Sequence, residues 1–571
     1  MRYLMIGLAA LGAPALAQEA QQPEETVAVA VKESVVAEKF MVAAANPLAA
    51  EAGREILARG GSAADALVAV QLVLNLVEPQ SSGIGGGAFA LYWDAEAGLA
   101  SWDGREKAPM AADESYWLGA DGAPVGWWDA VVGGRSVGVP GTLRLLETLH
   151  AEHGRLEWGE LFQPAIRLAE TGFAISPRMA ASIASAQEQQ LDLFPVAREY
   201  FFEADGSPKA EGTILKNPEF AATLKLLAAE GSAPFYEGEI ADDIVAAVKT
   251  NVNPGILTME DLAAYEVVER EPVCMAYRTY EVCGMGPPSS GALTVGQILG
   301  QLNAFEIGNA PSAEAWHLYI EAAKNAYADR GLYMADSDFV DMPEGLLDDD
   351  YLASRAALID PDAAMESASP GEPPWEETRL WAPDRQVERP GTSHISIVDG
   401  FGDMLSITTT IETGFGSRVM VRGFLLNNEL TDFSRAPEED GKPIANRVEG
   451  GKRPRSSMAP TIVLEDGAPV LLIGSPGGSR IINYVAGALV RILDWGMDPQ
   501  EALNAGHVVN RNGATDLEEG TEAAELASAL EALGHEVNIA NLNSGLHAIL
   551  LEGGKLIGAA DPRREGVAVG E

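Results

Sequence analysis

Hydrophobic and polar positions along the chain fall into rhythms that change with position. Ser62-Ala63-Ala64-Asp65 has the form of a helix capping box, and apolar residues recur at helical spacing over 66–77. The glycine-rich run 81–87 breaks that helix, and 88–93 (Ala-Phe-Ala-Leu-Tyr-Trp) reads as a strand. Several helical runs with acidic faces occupy 157–270. A hairpin follows over 273–285, then a Pro-Pro-Ser-Ser-Gly turn and a helix over 292–302. Residues 355–390 are rich in Pro and Glu and read as an exposed linker that stops at Gly391.

Beyond Gly391 the rhythm turns to strands. Residues 393–399 and 403–411 flank Gly400-Phe401-Gly402, the layout of a hairpin with a three-residue loop. Pairing symmetric about Phe401 places Thr410 opposite Thr392. Residues 461–473 form a further hairpin, and Gly474-Ser475-Pro476-Gly477-Gly478-Ser479-Arg480 leads into a helix starting at Ile481.

Length and composition bound the architecture. With 571 residues, 47% of them apolar, the chain exceeds one ordinary core, so two large units or one extended α/β domain are expected. The formal charge of −45 is spread along the sequence and reads as an acidic, solvated surface, which argues against nucleic acid or anionic lipid as partners. Residues 1–17 have the charged start, short apolar stretch and Ala-Leu-Ala ending of a secretory signal. The alternative, a short membrane anchor, is disfavoured because the stretch is too short to span a bilayer, and no later segment reaches roughly 18 uninterrupted apolar residues. An exported protein, periplasmic or extracellular, is expected. Export allows Cys274 and Cys283 to form a disulfide, since a turn at Arg278-Thr279 sets them opposite each other; two packed thiols are the alternative.

The candidate chemistry centres on Gly391-Thr392. If the bond between them were cut, Thr392 would carry a hydroxyl nucleophile and a free α-amine. That amine, with an intrinsic pKa near ~8, can serve as the base for the hydroxyl. His394 begins the same strand and reads as structural.

In order along the chain stand Pro79-Gln80-Ser81-Ser82-Gly83-Ile84-Gly85-Gly86-Gly87, Asp103-Gly104-Arg105-Glu106-Lys107-Ala108-Pro109, Gly138-Val139-Pro140-Gly141 and Ala326-Tyr327-Ala328-Asp329-Arg330. Thr392-Ser393-His394-Ile395-Ser396, Leu426-Asn427-Asn428-Glu429-Leu430-Thr431-Asp432-Phe433, Arg455-Ser456-Ser457-Met458 and the 474–480 run complete the series. Each motif is weak alone; together, from about residue 40 to 564, they resemble the gamma-glutamyltransferase (glutathione hydrolase) family of N-terminal nucleophile hydrolases. The resemblance implies an α/β fold, a four-layer αββα sandwich built from two subunits of one precursor cleaved at Gly391-Thr392. The large subunit would span 18–391 and the small one 392–571, the two forming a heterodimer.

By the same resemblance Thr392 attacks a γ-glutamyl amide, Thr410 holds it in place, and Gly477 and Gly478 offer N–H groups to the oxyanion. Arg105, with Ser456 and Ser457, would hold the substrate α-carboxylate. Glu412, Glu429 and Asp432 would accept from its α-ammonium. Neither metal nor cofactor is implied. The polar stretch 436–442 reads as a partial lid or a loop. The implied activity is hydrolysis of glutathione-type γ-glutamyl amides, or transfer of the γ-glutamyl group to an amine acceptor. Two alternatives stand beside it: an acylase for glutaryl-type amides, and an exported binding protein without catalysis.

Overall fold

The computed structural model describes residues 30–375, 380–386, 388–389 and 391–571. The signal-like residues 1–17 and most of the leader after them lie outside the described residues. Ser62 caps the helix Ala63–Val77 through a reciprocal bond with Asp65, as the sequence pattern expects.

Two seven-stranded antiparallel sheets form the centre. One runs in the order Val567–Gly570, Met41–Ala44, Thr392–Val398, Met404–Thr410, Gly87–Asp94, Gly98–Gly104, Val268–Arg270. The other runs Val35–Ala37, Lys555–Ala560, His547–Glu552, Ala468–Gly474, Thr461–Glu465, Tyr280–Gly284, Val273–Tyr277. Both sheets therefore mix strands from either side of Gly391.

Alternation of side chains along the strands distributes the core. In the first sheet Ile395, Ile397, Leu405 and Ile407 pack with the helix Ala63–Val77 and its neighbours. In the second, Val463, Leu471 and Ile473 pack with the helices Ala313–Tyr333 and Ile481–Leu493. The opposite faces meet each other through Met41, Val398, Met404, Ile462, Leu472 and Ile549. Among the described residues no helix is long and apolar enough to cross a membrane.

The hairpin registers follow the sequence count. Thr392 pairs with Thr410, and Cys274 pairs with Cys283, where the two sulfurs are joined in a disulfide. The tail before Gly391 departs from expectation. Its Pro- and Glu-rich composition predicts an exposed linker, yet Ala382, Asp384 and Glu388 are buried. The cause is specific pairing: the Ala382 N–H donates to Pro443 O at 2.9 Å, and Asn446 donates to Asp384 at 3.0 Å. The polar stretch 436–442 is a short hairpin, Glu438–Glu439 with Lys442–Pro443, and Pro443 is the residue that takes the tail's Ala382.

Candidate active site

Strand ends from both sheets converge at one place. Arg105 directly follows Gly98–Gly104, Glu412 follows Met404–Thr410, and Thr392 opens Thr392–Val398. Glu429 and Asp432 lie on a single 3₁₀ turn, Glu429–Asp432. Gly477 and Gly478 follow Ala468–Gly474. The segment before Thr461–Glu465 brings in Ser456 and Ser457, held when Ser456 N donates to Pro288 O at 3.0 Å.

Nine of the ten residues expected at the site line one pocket of about 210 Å³; the tenth, Gly477, sits one residue behind Gly478. The pocket is also lined by Glu388, Met458 and Ile481, which the sequence reading did not place there.

At its floor the Thr392 hydroxyl lies 3.4 Å from that of Thr410. The Thr410 hydroxyl donates to the Gly391 carbonyl at 2.8 Å and accepts from the Glu412 N–H at 2.8 Å. Thr410 therefore polarises the carbonyl of the Gly391-Thr392 bond while standing beside Thr392. Arg564 donates to the Thr392 carbonyl at 3.2 Å. Only glycine fits at 391, because a Cβ there would meet the Glu412 carbonyl oxygen at 1.7 Å. Gly477 and Gly478 have φ of 138° and 57°, a conformation that side chains resist. Glu412 adopts φ 76° despite its side chain, a strained backbone that aims its carboxylate into the pocket.

Charge is unevenly balanced. Arg105 donates to Glu429 and, at 2.7 Å, to Asp432; two further N–H groups reach Pro454 O at 3.2 Å and Arg455 O at 3.1 Å, and a fifth, on Nη1, makes no hydrogen bond among the described residues. Glu106 lies 3.9 Å from the same guanidinium. One arginine thus faces Glu106, Glu412, Glu429 and Asp432, all buried. Burial, only partly offset by Arg105, pushes the Glu106 carboxyl up to about 7. Burial and the neighbouring acids hold Glu412 well above the usual carboxylate range, and burial does the same for Glu429 and Asp432 against the pull of Arg105. One oxygen of each of Glu412, Glu429 and Asp432 has no hydrogen-bond donor, and the three residues offer oxygens within 4.8 Å of one another. Three unsatisfied acceptors match the three N–H donors of an ammonium group. Such a triad would also suit a hard cation, but Arg105 already sets a positive charge against two of its members.

Glu388 shows the opposite balance. Burial works against its charge, but the Arg330 and Arg455 guanidiniums prevail and hold its carboxyl down to about 2. His394 is buried between Thr408, at 2.9 Å, and Ser396, at 3.1 Å. Burial and the nearby His547 keep its ring well below the usual histidine range, so it is a poor proton acceptor at neutral pH. Away from the pocket His317, Glu321 and His535 also cluster, but they already have partners: His317 Nδ1 and His535 Nε2 are 2.7 Å apart and Lys324 donates to Glu321 at 2.8 Å.

The comparisons with known proteins agree with this geometry. Residues 49–571 match the family model described as gamma-glutamyltranspeptidase. The chain is 36% identical over 556 residues to a glutathione hydrolase proenzyme of Bacillus subtilis, covering 94% of this chain and 92% of that protein. A cephalosporin acylase from Bacillus halodurans superposes with a TM-score of 0.83 at 28% identity, over 95% of this chain and 97% of that one. Helicobacter pylori gamma-glutamyltranspeptidase superposes with a TM-score of 0.54 at 35% identity, over 59% of this chain and 95% of the solved one. The chain belongs to the gamma-glutamyltranspeptidase family.

Proposed function

We propose that this protein cuts its own Gly391-Thr392 bond and then hydrolyses γ-glutamyl amides such as glutathione, or transfers the γ-glutamyl group to an amine. In the first step Thr392 Oγ1 attacks the Gly391 carbonyl carbon, whose oxygen Thr410 polarises. The C–N bond breaks as the Thr392 hydroxyl proton passes to the departing nitrogen, leaving an ester. Water hydrolyses the ester, giving a Gly391 carboxylate and a Thr392 with free amine and hydroxyl. Both pieces then contribute strands to each sheet, which supports an entwined large and small subunit in a four-layer αββα arrangement. The signal-like residues 1–17 support export.

In the second step the Thr392 amine takes the hydroxyl proton as Thr392 attacks the γ-carbonyl. The Gly477 and Gly478 backbone faces the developing oxyanion, the amine proton passes to the leaving nitrogen, and a γ-glutamyl ester remains on Thr392. Water or an acceptor amine then displaces it. The substrate's α-ammonium meets Glu412, Glu429 and Asp432, and its α-carboxylate meets Arg105, Ser456 and Ser457. The ammonium thereby sets a positive charge directly against the buried acids, while the α-carboxylate is held on the arginine side.

The observation that carries this reading is the unsatisfied carboxylate triad in the same pocket as the Thr392–Thr410 pair. A second reading, an acylase for glutaryl-type amides, is favoured by the likeness to the cephalosporin acylase. A glutaryl group lacks the ammonium and would leave the three free carboxylate oxygens without a donor. Steady-state assays with a γ-glutamyl anilide and its glutaryl counterpart, with and without glycylglycine, separate the two. The expected result is chromogen release from the γ-glutamyl compound, with acceleration by glycylglycine reporting transfer. Release from the glutaryl compound alone would establish the acylase reading, and release from neither would refute both.

A further inference from the structure

The tail before the cut brings its own carboxylate into the pocket. Glu388, three residues before Gly391, is buried beside Thr392, Arg105 and Gly478. Arg330 Nη2 lies 2.5 Å from Glu388 Oε1, Arg455 Nε donates to the same oxygen at 3.4 Å, and the Ser457 hydroxyl donates to Oε2 at 3.3 Å. Arg330 Nη2 also donates to Ser457 Oγ at 2.7 Å, which ties the three groups into one cradle. A second tail acid, Asp384, sits 3.1 Å from Arg455 Nη2. Among the described residues these two tail acids are the carboxylates paired with Arg330 and Arg455; their other partners, Ser290 Oγ and the Arg330 carbonyl, are neutral.

A buried guanidinium that loses its carboxylate is left with an uncompensated charge, which is costly. Two of them, with a hydroxyl between, are donors already arranged around a carboxylate. Once the Gly391-Thr392 bond is broken, the tail keeps only its upstream covalent attachment, Glu388 stays in the pocket through non-covalent contacts, and an incoming ligand can displace it. We infer that Arg330 and Arg455 form a second carboxylate-binding site, filled by Glu388 in the uncut chain and taken afterwards by the terminal carboxylate of a peptide leaving group. This rests on the proposed self-cleavage and deepens it: the enzyme would select γ-glutamyl peptides that end in a free carboxylate over neutral γ-glutamyl amides. Arg105 and the acid triad would hold the γ-glutamyl end while the Arg330–Arg455 pair holds the other.

The test uses purified full-chain protein, first run on a denaturing gel, and compares kcat/KM for glutathione with that for glutathione amidated at its C-terminus. Two bands and a preference of about tenfold for the free carboxylate, carried mainly by KM, are expected. Arg455→Gln should bring the ratio to about twofold or less, and Arg455→Lys, which keeps the charge, should restore part of it. Two bands with equal kcat/KM for both substrates in the unaltered protein would overturn the inference and leave the cleavage reading standing. An undiminished ratio in Arg455→Gln would overturn it as well. A single uncut band would defeat the cleavage reading and this inference with it. The substrate pair on the unaltered protein decides the matter even if Arg455→Gln does not fold.

Discussion

Val273–Tyr277 and Tyr280–Gly284 form a hairpin that sets Cys274 opposite Cys283; Thr392–Val398 and Met404–Thr410 form another that sets Thr392 opposite Thr410. Each pair joins across its hairpin, the sulfurs by a covalent bond and the hydroxyls at 3.4 Å. The cysteine hairpin supplies the last strand of its sheet, and Cys274 is exposed. There a crosslink staples an edge that would otherwise fray or pair with another chain. The threonine hairpin lies inside its sheet, between Met41–Ala44 and Gly87–Asp94, and both hydroxyl residues are buried. Its end abuts the Gly391 carbonyl and a cluster of four acids around one arginine. Register brings two side chains together in both hairpins; the surroundings are what distinguish the two pairs.

The two hairpins should differ most under substitution at Thr392. Thr392→Ala should leave the chain uncut and cost at least ~10⁴-fold in γ-glutamyl turnover, read by gel and by anilide assay. Arg105→Ala should raise KM for γ-glutamyl substrates by roughly 10²–10³-fold, since breaking a buried ion pair involves ~3–5 kcal/mol; an unchanged KM would remove Arg105 from the site. Thr410→Val should slow self-cleavage by about 10²-fold, as expected for loss of one donor to a carbonyl that becomes an oxyanion, measured by the time course of band conversion.

Acidity provides a gentler probe. Glu106, pushed up to about 7, and the raised Glu412, Glu429 and Asp432 take up protons as pH falls, so KM for an ammonium-bearing substrate should rise below neutrality. The sign for stability is the reverse. A folded-state carboxyl above its ordinary value of 4.5 binds protons more readily than in the unfolded chain, so the ligand-free protein should lose stability as pH climbs from about 4.5 to 7. Glu106→Gln should flatten that part of the Tm profile. Glu388 works in the other direction, stabilising the uncut chain above 4.5 and losing its effect as pH falls toward about 2.

The smallest effect is expected at the other hairpin. Replacing Cys274 and Cys283 together by Ser should leave turnover unchanged and lower stability by about 2–3 kcal/mol, given the sequence separation of 9, as read in the Tm. A loss of activity there would mean that the two hairpins are coupled.

Much of this geometry was legible in the residues. Counting outward from Phe401 gives the Thr392–Thr410 register, and counting outward from Arg278-Thr279 gives the cysteine pair, because hairpin pairing is local and symmetric. The tail was not legible. Its prolines and glutamates describe a backbone that avoids regular structure, but not that Glu388 meets Arg330 and Arg455, 58 and 67 residues away. Glu106 was missed for a related reason: a charged residue is exposed by default, and only the packed structure shows that its carboxylate is buried beside Arg105. The motif at Arg330 was visible, yet its role depends on which acid lies opposite. Local patterning reports strand register well and long-range ion pairing poorly.

In the proposed order of events Thr392 acts first on its own peptide bond and only then on substrate. N-terminal sequencing of the purified protein's smaller band on a denaturing gel tests it most directly. Two bands are expected, the smaller beginning Thr-Ser-His. A single full-length chain that still turns over a γ-glutamyl anilide would contradict it.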